Sequence, residues 1–158
     1  MNLADIIRPE NIIPELKATD RWEAIDELID HLVQTGDIDE ADRDAVVAAV
    51  RKRENTMSTG IGFGIGIPHA SSNVLKRVVG AFGRSKKGIE FEAIDGQPVT
   101  LVVLLLVPQG EFQPHLHTLA RIAKLLHRRE MRKALEDAPD AHAIHAIIES
   151  ASSEPAGP

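Results

Sequence analysis

The stretch at residues 99–107 is apolar at nearly every position, and this feature constrains the fold more than any other. The stretch is too short to cross a bilayer, which takes about 20 apolar residues in a helix. A β-strand that is covered on both faces has this pattern, because neither set of alternating side chains then faces water. We therefore predict that residues 99–107 form the centre of a sheet with helices on both faces.

An amphipathic helix is predicted well before this strand. Asp20 and Glu23 are placed as a cap pair at its start, and Gly36 is a plausible stop. Between them, apolar residues recur at the spacing of one helical face. These residues are Ile25, Leu28, Ile29, Leu32 and Val33.

Further helices follow from the same periodicity. A second helix is expected to start at Asp39, to end near Arg53 with a basic last turn, and to bury Val46, Val47 and Val50. A third is predicted to open at Pro114, since proline is favoured early in a helix, and to run to about Arg128. Two more are predicted at 131–135 and 140–149, the last with Ile144, Ile147 and Ile148 inward.

Shorter strands complete the predicted fold, a single α/β domain over residues 1–150 with a central mixed sheet. Residues 78–84 and 89–91 have strand character, and the intervening Ser85-Lys86-Lys87-Gly88 predicts a hairpin between them. Asp95-Gly96 marks another turn. Residues 151–158 have nothing to bury, so we expect a disordered C-terminal tail.

Composition excludes several classes of protein. The chain has 158 residues, a formal net charge of −6 and no cysteine. This length fits one domain, and the acidic balance argues against a nucleic-acid partner. The absence of cysteine excludes disulfides, a thiolate nucleophile and a cysteine-based zinc site. The first residues lack the pattern of a signal peptide, so we expect a cytoplasmic protein that is not embedded in a membrane.

A glycine at every second position from Gly60 to Gly66 leads to Pro68 and His69. Glycine lets a backbone approach other groups closely, and proline biases the preceding residue towards an extended conformation. His69 is therefore predicted at the end of a rigid, strand-like segment, where its imidazole can act as a nucleophile. The spacing fits neither a Walker loop nor Gly-x-Gly-x-x-Gly, so nucleotide binding receives little support.

A purely structural interpretation of this segment stays open at this point. The apolar residues between the glycines would point into the core, with glycines where another backbone packs close. These residues are Ile61, Phe63, Ile65 and Ile67. Phe63 is alternatively an apolar anchor for a partner that covers His69.

A second histidine lies early in the predicted third helix. Helical projection places His115 on the face of Leu119 and Ile122, and His117 on the charged face. In the first turn the helix dipole disfavours the imidazolium, so His115 would be neutral. It would orient His69 or donate to a phosphoryl oxygen, and the alternative is a capping or core histidine.

The motifs around His69 resemble those of a known family, the enzyme IIA domain of the bacterial phosphoenolpyruvate-dependent sugar phosphotransferase system, in its fructose/mannitol/nitrogen-regulatory class. The resemblance is collinear from about Leu3 to Glu149. It rests on Arg53-Glu54, Ser58-Thr59-Gly60, Gly64-Ile65-Gly66-Ile67-Pro68-His69-Ala70, Ala93-Ile94-Asp95-Gly96-Gln97-Pro98-Val99 and His115-Leu116-His117-Thr118-Leu119. The family commonly has alanine where this chain has Gly66.

The resemblance implies a phosphoryl-transfer component with a phosphohistidine intermediate. It implies that His69 is phosphorylated, on the tele nitrogen, by the phosphohistidine of the carrier HPr or a paralogue. His115 matches the family's second histidine and Arg53 its phosphate-site arginine. Ser58 and Thr59 match a hydroxyl-bearing stretch that would bind phosphate. This scheme needs no metal and no other cofactor.

Two functions share this site, and a third is remote. A nitrogen-type regulatory enzyme IIA would bind target proteins according to its phosphorylation, whereas a fructose-type transport enzyme IIA would pass phosphate to a cysteine of an enzyme IIB partner. A standalone domain, as we expect here, and residues 3–16 and 91–96 favour the regulatory type. The remote alternative is a zinc-binding protein with His69, His115 and His117, or His142 and His145, as ligands. Against zinc, no His-Glu-x-x-His spacing occurs.

Overall fold

The computed structural model describes residues 3–152, which build one mixed β-sheet with helices packed against it. The helices in this range are α1 (Leu3–Ile6), α2 (Arg21–Gln34), α3 (Arg43–Thr56), α4 (Phe112–His127), α5 (Arg129–Asp137) and α6 (Ala141–Ser152). The strands are β1 (Ile12–Ile13), β2 (Gly60–Gly62), β3 (Ile65–Gly66), β4 (His69–Ser72), β5 (Val79–Ile89) and β6 (Val99–Pro108). Short 3-10 turns at Pro9–Asn11 and Glu40–Asp42 precede β1 and α3.

The apolar strand β6 lies at the centre of the sheet, as its sequence predicts. It pairs antiparallel with β5 on one side and parallel with β3 and β4 on the other. Strand β4 continues the line of β3, since Ile65 pairs with Leu101 and His69 with Leu105. The outer strands are β1, parallel to β5, and β2, antiparallel to β3.

The two faces of β6 belong to two separate cores. Val102, Leu104 and Leu106 pack in a cluster with α2 and α3, whereas Leu101, Val103 and Leu105 pack in a cluster with α1, α4, α5 and α6. This division follows from the alternation of side chains along a strand. The predicted architecture, a mixed sheet flanked by helices on both faces, is confirmed.

Helix α2 confirms the predicted cap pair. The Asp20 carboxylate accepts the N–H of Glu23 at 2.9 Å, and the Glu23 carboxylate accepts the hydroxyl of Thr19 at 2.6 Å. Gly36 takes a φ of +85° two residues after the helix, where a left-handed conformation favours glycine. The predicted apolar face is buried in Ile25, Leu28, Ile29 and Leu32, and half-buried in Val33.

The predicted hairpin at residues 85–88 is wrong. Strand β5 runs through this segment without reversing, and its pairing with β6 shifts register between Arg84 and Ile89. The extra residues bulge out, which exposes Lys86 and Lys87, and Gly88 takes a φ of +85°. Lysines followed by glycine suit a bulge as well as a turn, because both need a left-handed residue.

Helix ends differ from the predicted ones by up to four residues. A 3-10 turn occupies Glu40–Asp42, and α3 then continues to Thr56 instead of ending near Arg53. Helix α4 begins at Phe112, since proline is tolerated throughout a first turn whose N–H groups lack helical partners. The predicted tail begins inside α6, which runs to Ser152, and residues 153–158 lie outside the described part of the chain.

Candidate functional site

The line formed by β3 and β4 carries His69 to the face of the sheet that α4 covers. Ile65 and Ile67 are buried in the cluster beneath α4, and the side-chain alternation of an extended chain brings His69 to the same side. There the His69 ring stacks on Phe112, in the first turn of α4, with 5.9 Å between centroids and 19° between planes. His69 is half-buried, so one edge of its ring stays accessible.

Two of the glycines are required by close approach of other residues. A Cβ on Gly60 would lie 2.7 Å from the Cβ of Ala93, and one on Gly66 would lie 2.9 Å from the Phe91 ring. The structural interpretation of this segment is therefore correct for these positions. It fails for Phe63, which is 57% exposed in the tight turn between β2 and β3 with a φ of +58°.

Phe63 also does not adjoin His69. Its ring meets the ring of His127 edge-on at 4.7 Å between centroids, at the last residue of α4, whereas His69 stacks on the first residue of that helix. The first and last of the 16 residues of α4 lie about 22 Å apart along its axis, which separates the two aromatic contacts. Phe63 is thus neither a core residue nor an anchor beside His69.

One hydrogen bond fixes the tautomer of His69. The ring Nδ1 lies 2.9 Å from the carbonyl oxygen of Ile67, which can only accept, so Nδ1 carries the proton. In the neutral ring the lone pair is then on Nε2. Burial lowers the pKa of His69 below its ordinary value, and the positive charge of Arg53 lowers it further, whereas the bond to Ile67 and the negative charge of Glu54 oppose this shift. The geometry and the pKa together favour a neutral ring with a nucleophilic Nε2.

Arg53 is brought close to His69, as predicted. It lies in the last turn of α3 and is half-buried, and its charge acts on the His69 ring. Its Nη1 donates to the carbonyl of Met57 at 3.0 Å. This bond holds one arm of the guanidinium, and the planar fork leaves further N–H groups for an anion.

His115 lies one turn into α4, three residues after the Phe112 ring that stacks on His69. It is half-buried and its Nδ1 is 3.3 Å from the hydroxyl of Thr118, whereas His117 is exposed. The predicted orientations of these two histidines thus agree with their exposure. The hydrogen bonds found among residues 3–152 include none between His115 and His69.

The hydroxyl groups of Ser58 and Thr59 do not face an open site. Ser58 Oγ donates to the carbonyl of Phe91 at 2.6 Å, and Thr59 Oγ1 donates to Glu54 at 2.5 Å. Thr59 is buried. Either hydroxyl would have to give up such a bond to donate to a phosphoryl group.

Glu54 is the site residue that sequence reasoning missed. Its side chain is 1% exposed, and it accepts the N–H of Thr59 at 2.8 Å besides the Thr59 hydroxyl. Arg21 also donates to it, at 3.3 Å. The available signal was its place beside Arg53 and five residues before Thr59, but a glutamate in a helix usually faces water.

Within residues 3–152, no cluster of three or more His, Cys, Asp or Glu side chains is arranged to hold a metal ion. His145, one of the proposed zinc ligands, lies instead with Nε2 3.1 Å from the carbonyl of Ala4. No helix in the described range is both long and apolar enough to cross a membrane.

Comparison with known proteins assigns the family. The family described as "Phosphoenolpyruvate-dependent sugar phosphotransferase system, EIIA 2" matches residues 5–151. The chain therefore belongs to this EIIA family of phosphoryl-transfer components, as the resemblance around His69 predicted.

Known relatives and solved structures similar to this chain include nitrogen regulatory proteins and a fructose-specific component. The chain is 37% identical to a nitrogen regulatory protein of Bradyrhizobium diazoefficiens, over 94% of this chain and 95% of that protein. It is also 37% identical to the fructose-specific EIIABC component of Bacillus subtilis, over 94% of this chain but 23% of that protein. The crystal structure of the nitrogen regulatory protein IIA-Ntr from Neisseria meningitidis superposes with a TM-score of 0.83 at 28% identity, covering 92% of this chain and 98% of that one.

Proposed function

We propose that His69 carries a phosphoryl group on Nε2, between an HPr-type donor and a protein acceptor, and that the protein is a nitrogen-type regulatory enzyme IIA. The observation that carries this proposal is the 2.9 Å bond between His69 Nδ1 and the Ile67 carbonyl. It leaves Nε2 with the lone pair, and it can persist after phosphorylation, because the Nδ1 proton is not involved in the transfer.

The transfer step is a simple displacement. Nε2 of His69 forms a P–N bond while the P–N bond to the donor histidine breaks, and the donor ring leaves with the electron pair. Transition states of this kind are loose, so the protein contributes mainly position and charge. The stack against Phe112 and the bond to Ile67 fix the ring in two directions.

Two groups are placed to hold the phosphoryl oxygens. Arg53 offers a permanently charged fork of N–H donors near the ring. The first turn of α4, whose N-cap Glu111 makes no side-chain cap bond, adds backbone N–H groups and the positive end of the helix dipole. His115 lies in that turn and would donate to a phosphoryl oxygen. Ser58 and Thr59 would then act through their internal bonds and not as direct phosphate ligands.

Incubation with phosphoenolpyruvate, enzyme I and HPr tests this proposal. The unmodified chain should gain an acid-labile phosphoryl group that mass spectrometry locates on His69, and His69→Ala should gain none. His115→Ala should still be labelled, because the acceptor nitrogen of His69 remains. Labelling should be slower, because one donor to the phosphoryl oxygens is lost. His117→Ala is the matched control, since this histidine is exposed on the same helix, and it should be labelled normally. Labelling that survives in His69→Ala would refute the assignment.

The regulatory type is favoured over transport by two likenesses. One is the nitrogen regulatory relative, which aligns along 95% of its own length, and the other is the fold of IIA-Ntr. The fructose-specific relative keeps transport as the second candidate. In transport, a cysteine thiolate of an enzyme IIB would attack phosphorus, forming a P–S bond as the P–N bond to His69 breaks. Rapid loss of label from phosphorylated His69 to such a cysteine would establish transport, and retention would support regulation.

The location and partners follow from this role. We place the protein in the cytoplasm, as predicted from the sequence, with HPr or a paralogue as donor. A regulatory target, or an enzyme IIB in the second candidate, would be the next partner.

A further inference from the structure

The buried Glu54 is connected to the His69 ring by hydrogen bonds that pass through the backbones of two residues, Thr59 and Ile67. Glu54 accepts the hydroxyl and the N–H of Thr59 at 2.5 and 2.8 Å. The carbonyl of Thr59 accepts the N–H of Ile67 at 3.1 Å, and the carbonyl of Ile67 accepts His69 Nδ1–H at 2.9 Å. The bond that selects the tautomer of His69 is thus connected to a buried carboxylate through two intervening residues, Ile67 and Thr59.

Glu54 is held in place from its other side as well. Arg21, whose side chain is 11% exposed, donates to Glu54 through Nη1 and to Glu92 through Nη2. Its guanidinium also lies over the Trp22 ring, 4.4 Å from the centroid. A carboxylate removed from water needs such compensation, because an unpaired buried charge is very costly. The carboxylate of Glu54 is therefore itself held in one position.

The segment that Glu54 holds, residues 57–60, is also bonded to Arg53 at the Met57 carbonyl and to the Phe91 carbonyl through Ser58. Met57 takes an extended conformation that ends α3, and Gly60 begins the short strand β2. Between them, Thr59 is fixed at its N–H, its hydroxyl and its carbonyl. Displacement of Thr59 would shift the Ile67 peptide and, with it, the acceptor that defines the position of Nδ1.

We infer that Glu54 is a positioning residue, which acts through Thr59 and Ile67 to hold the His69 ring in the Nδ1–H tautomer with Nε2 free to react. This inference deepens the proposed function and rests on it for its catalytic meaning. A purely structural role for Glu54 would stabilise the fold without biasing the ring.

Ring tautomer and chemical reactivity test this inference without any protein partner. The ¹⁵N chemical shifts of the His69 ring report which nitrogen carries the proton. Potassium phosphoramidate is a small donor for histidine: the P–N bond of the reagent breaks, ammonia leaves, and a P–N bond to Nε2 forms. The initial rate of this reaction reports the exposure and orientation of Nε2.

Four variants separate positioning from stability. Glu54→Ala should move the ring signals away from the Nδ1–H tautomer and slow phosphorylation by about 10- to 100-fold, as displacement of a reacting atom by about 1 Å does. Thr59→Val, which keeps the shape but loses the hydroxyl, should shift both measurements in the same direction by a smaller amount. Thr59→Ser should behave as the unmodified protein, because it keeps the hydroxyl. Glu27→Ala is the remote control: Glu27 also accepts backbone N–H groups, from Lys17 and Ala18.

The outcomes are distinct. Tautomer and rate that change in Glu54→Ala and Thr59→Val, but not in Glu27→Ala or Thr59→Ser, support the inference. An unchanged His69 tautomer in folded Thr59→Val and Glu54→Ala would overturn it, as would an equal loss in Glu27→Ala. If the unmodified chain takes no phosphate from the HPr cascade while the tautomer responds as expected, the proposed function fails and the positioning role stands.

Discussion

At His69, a single peptide carbonyl determines which ring nitrogen is available for reaction. The Ile67 oxygen takes the Nδ1 proton, and the stack on Phe112 restrains rotation of the ring. Pro68 lies between donor and acceptor and restricts the backbone that joins them. The Pro-His dipeptide therefore does more than connect β3 to β4: it sets the distance between the imidazole and the oxygen that orients it.

The lowered pKa of His69 has a direct consequence for pH dependence. Burial and Arg53 both disfavour the imidazolium, so the folded protein should keep His69 neutral below the ordinary histidine pKa of about 6.5. Phosphorylation by phosphoramidate should hold its rate at neutral pH and fall only as the pH drops through the lowered pKa. An NMR titration of the His69 ring should give the same pKa. Arg53→Ala should raise it, because a nearby positive charge is removed, and a pKa at or above that of free histidine would contradict this account.

The guanidinium of Arg53 should matter for its shape as well as its charge. Arg53→Lys keeps one positive charge but loses the planar fork that can bind two phosphoryl oxygens while Nη1 stays on Met57. We expect transfer from HPr to slow by about tenfold, equivalent to roughly 1.4 kcal/mol of transition-state stabilisation. The rate is measured by quenching the labelling reaction at a series of times. Arg51→Lys is the control, because Arg51 lies in the same helix as Arg53 but pairs with Asp26 of α2. Equal rates for Arg53→Lys and the unmodified protein would remove the fork from the mechanism.

Sequence motifs identified the candidate site residues better than the residues that support them. His69 and Arg53 were singled out because a histidine after a proline, with an arginine upstream, forms a recognisable pattern. Glu54 was not, since the rule that glutamates face water gives no reason to bury one. The Ile67 acceptor was also hidden, because a main-chain oxygen has no sequence signature. The hydroxyl groups of Ser58 and Thr59, which the family resemblance implied as phosphate ligands, donate to the Phe91 carbonyl and to Glu54.

Among the elements, those with strong periodicity were predicted and those with ambiguous turn chemistry were not. The face of α2 and the apolar length of β6 each have one stable arrangement in water, so their patterns identify them. Residues 85–88 do not: a glycine preceded by lysines fits a hairpin and a bulge equally. Only the pairing of both halves of β5 with the same strand β6 distinguishes the two, and that is a long-range property.

The fit between β3 and the segment after β5 predicts the effect of adding one methyl group. A Cβ on Gly66 would lie 2.9 Å from the fully buried ring of Phe91, which fills the space an alanine would need. Gly66→Ala should therefore lower the free energy of unfolding by about 1–3 kcal/mol, as overpacking does. Chemical denaturation measures this change.

A double substitution identifies its cause. If the clash is with the ring, Gly66→Ala combined with Phe91→Leu should be more stable than the sum of the two single changes allows. Strict additivity of the two substitutions would show that the ring is not responsible. Non-additivity would instead show that the departure from the family at this position is compensated, with Phe91 occupying the volume of the usual alanine.

For the whole molecule, the two ends of α4 have different surroundings. The N-terminal end adjoins His69, and Leu116, which is 42% exposed, lies one turn after Phe112 on the same side of the helix. The C-terminal end adjoins Phe63, which is 57% exposed and also lies beneath Arg132, 5.0 Å from the ring centroid. A partner that delivers phosphate must cover the first end and exclude water there.

Substitutions at the two ends of α4 should therefore separate docking from chemistry. Leu116→Glu should weaken association with the HPr donor, by desolvation of a charge against the partner, and lower kcat/KM for transfer by about tenfold or more. Its rate with phosphoramidate should stay unchanged, because His69, Ile67 and Arg53 are untouched.

Phe63→Asn is the matched control: it removes an exposed apolar side chain of comparable exposure and tolerates the positive φ, but it lies at the far end and should leave both rates unchanged. Since a bound phosphoryl group adds about −1.5 to −2 charges to an already acidic chain, the same surface should then release the donor after transfer. Equal sensitivity of both donors to Leu116→Glu would mean that this residue supports the ring and not the interface.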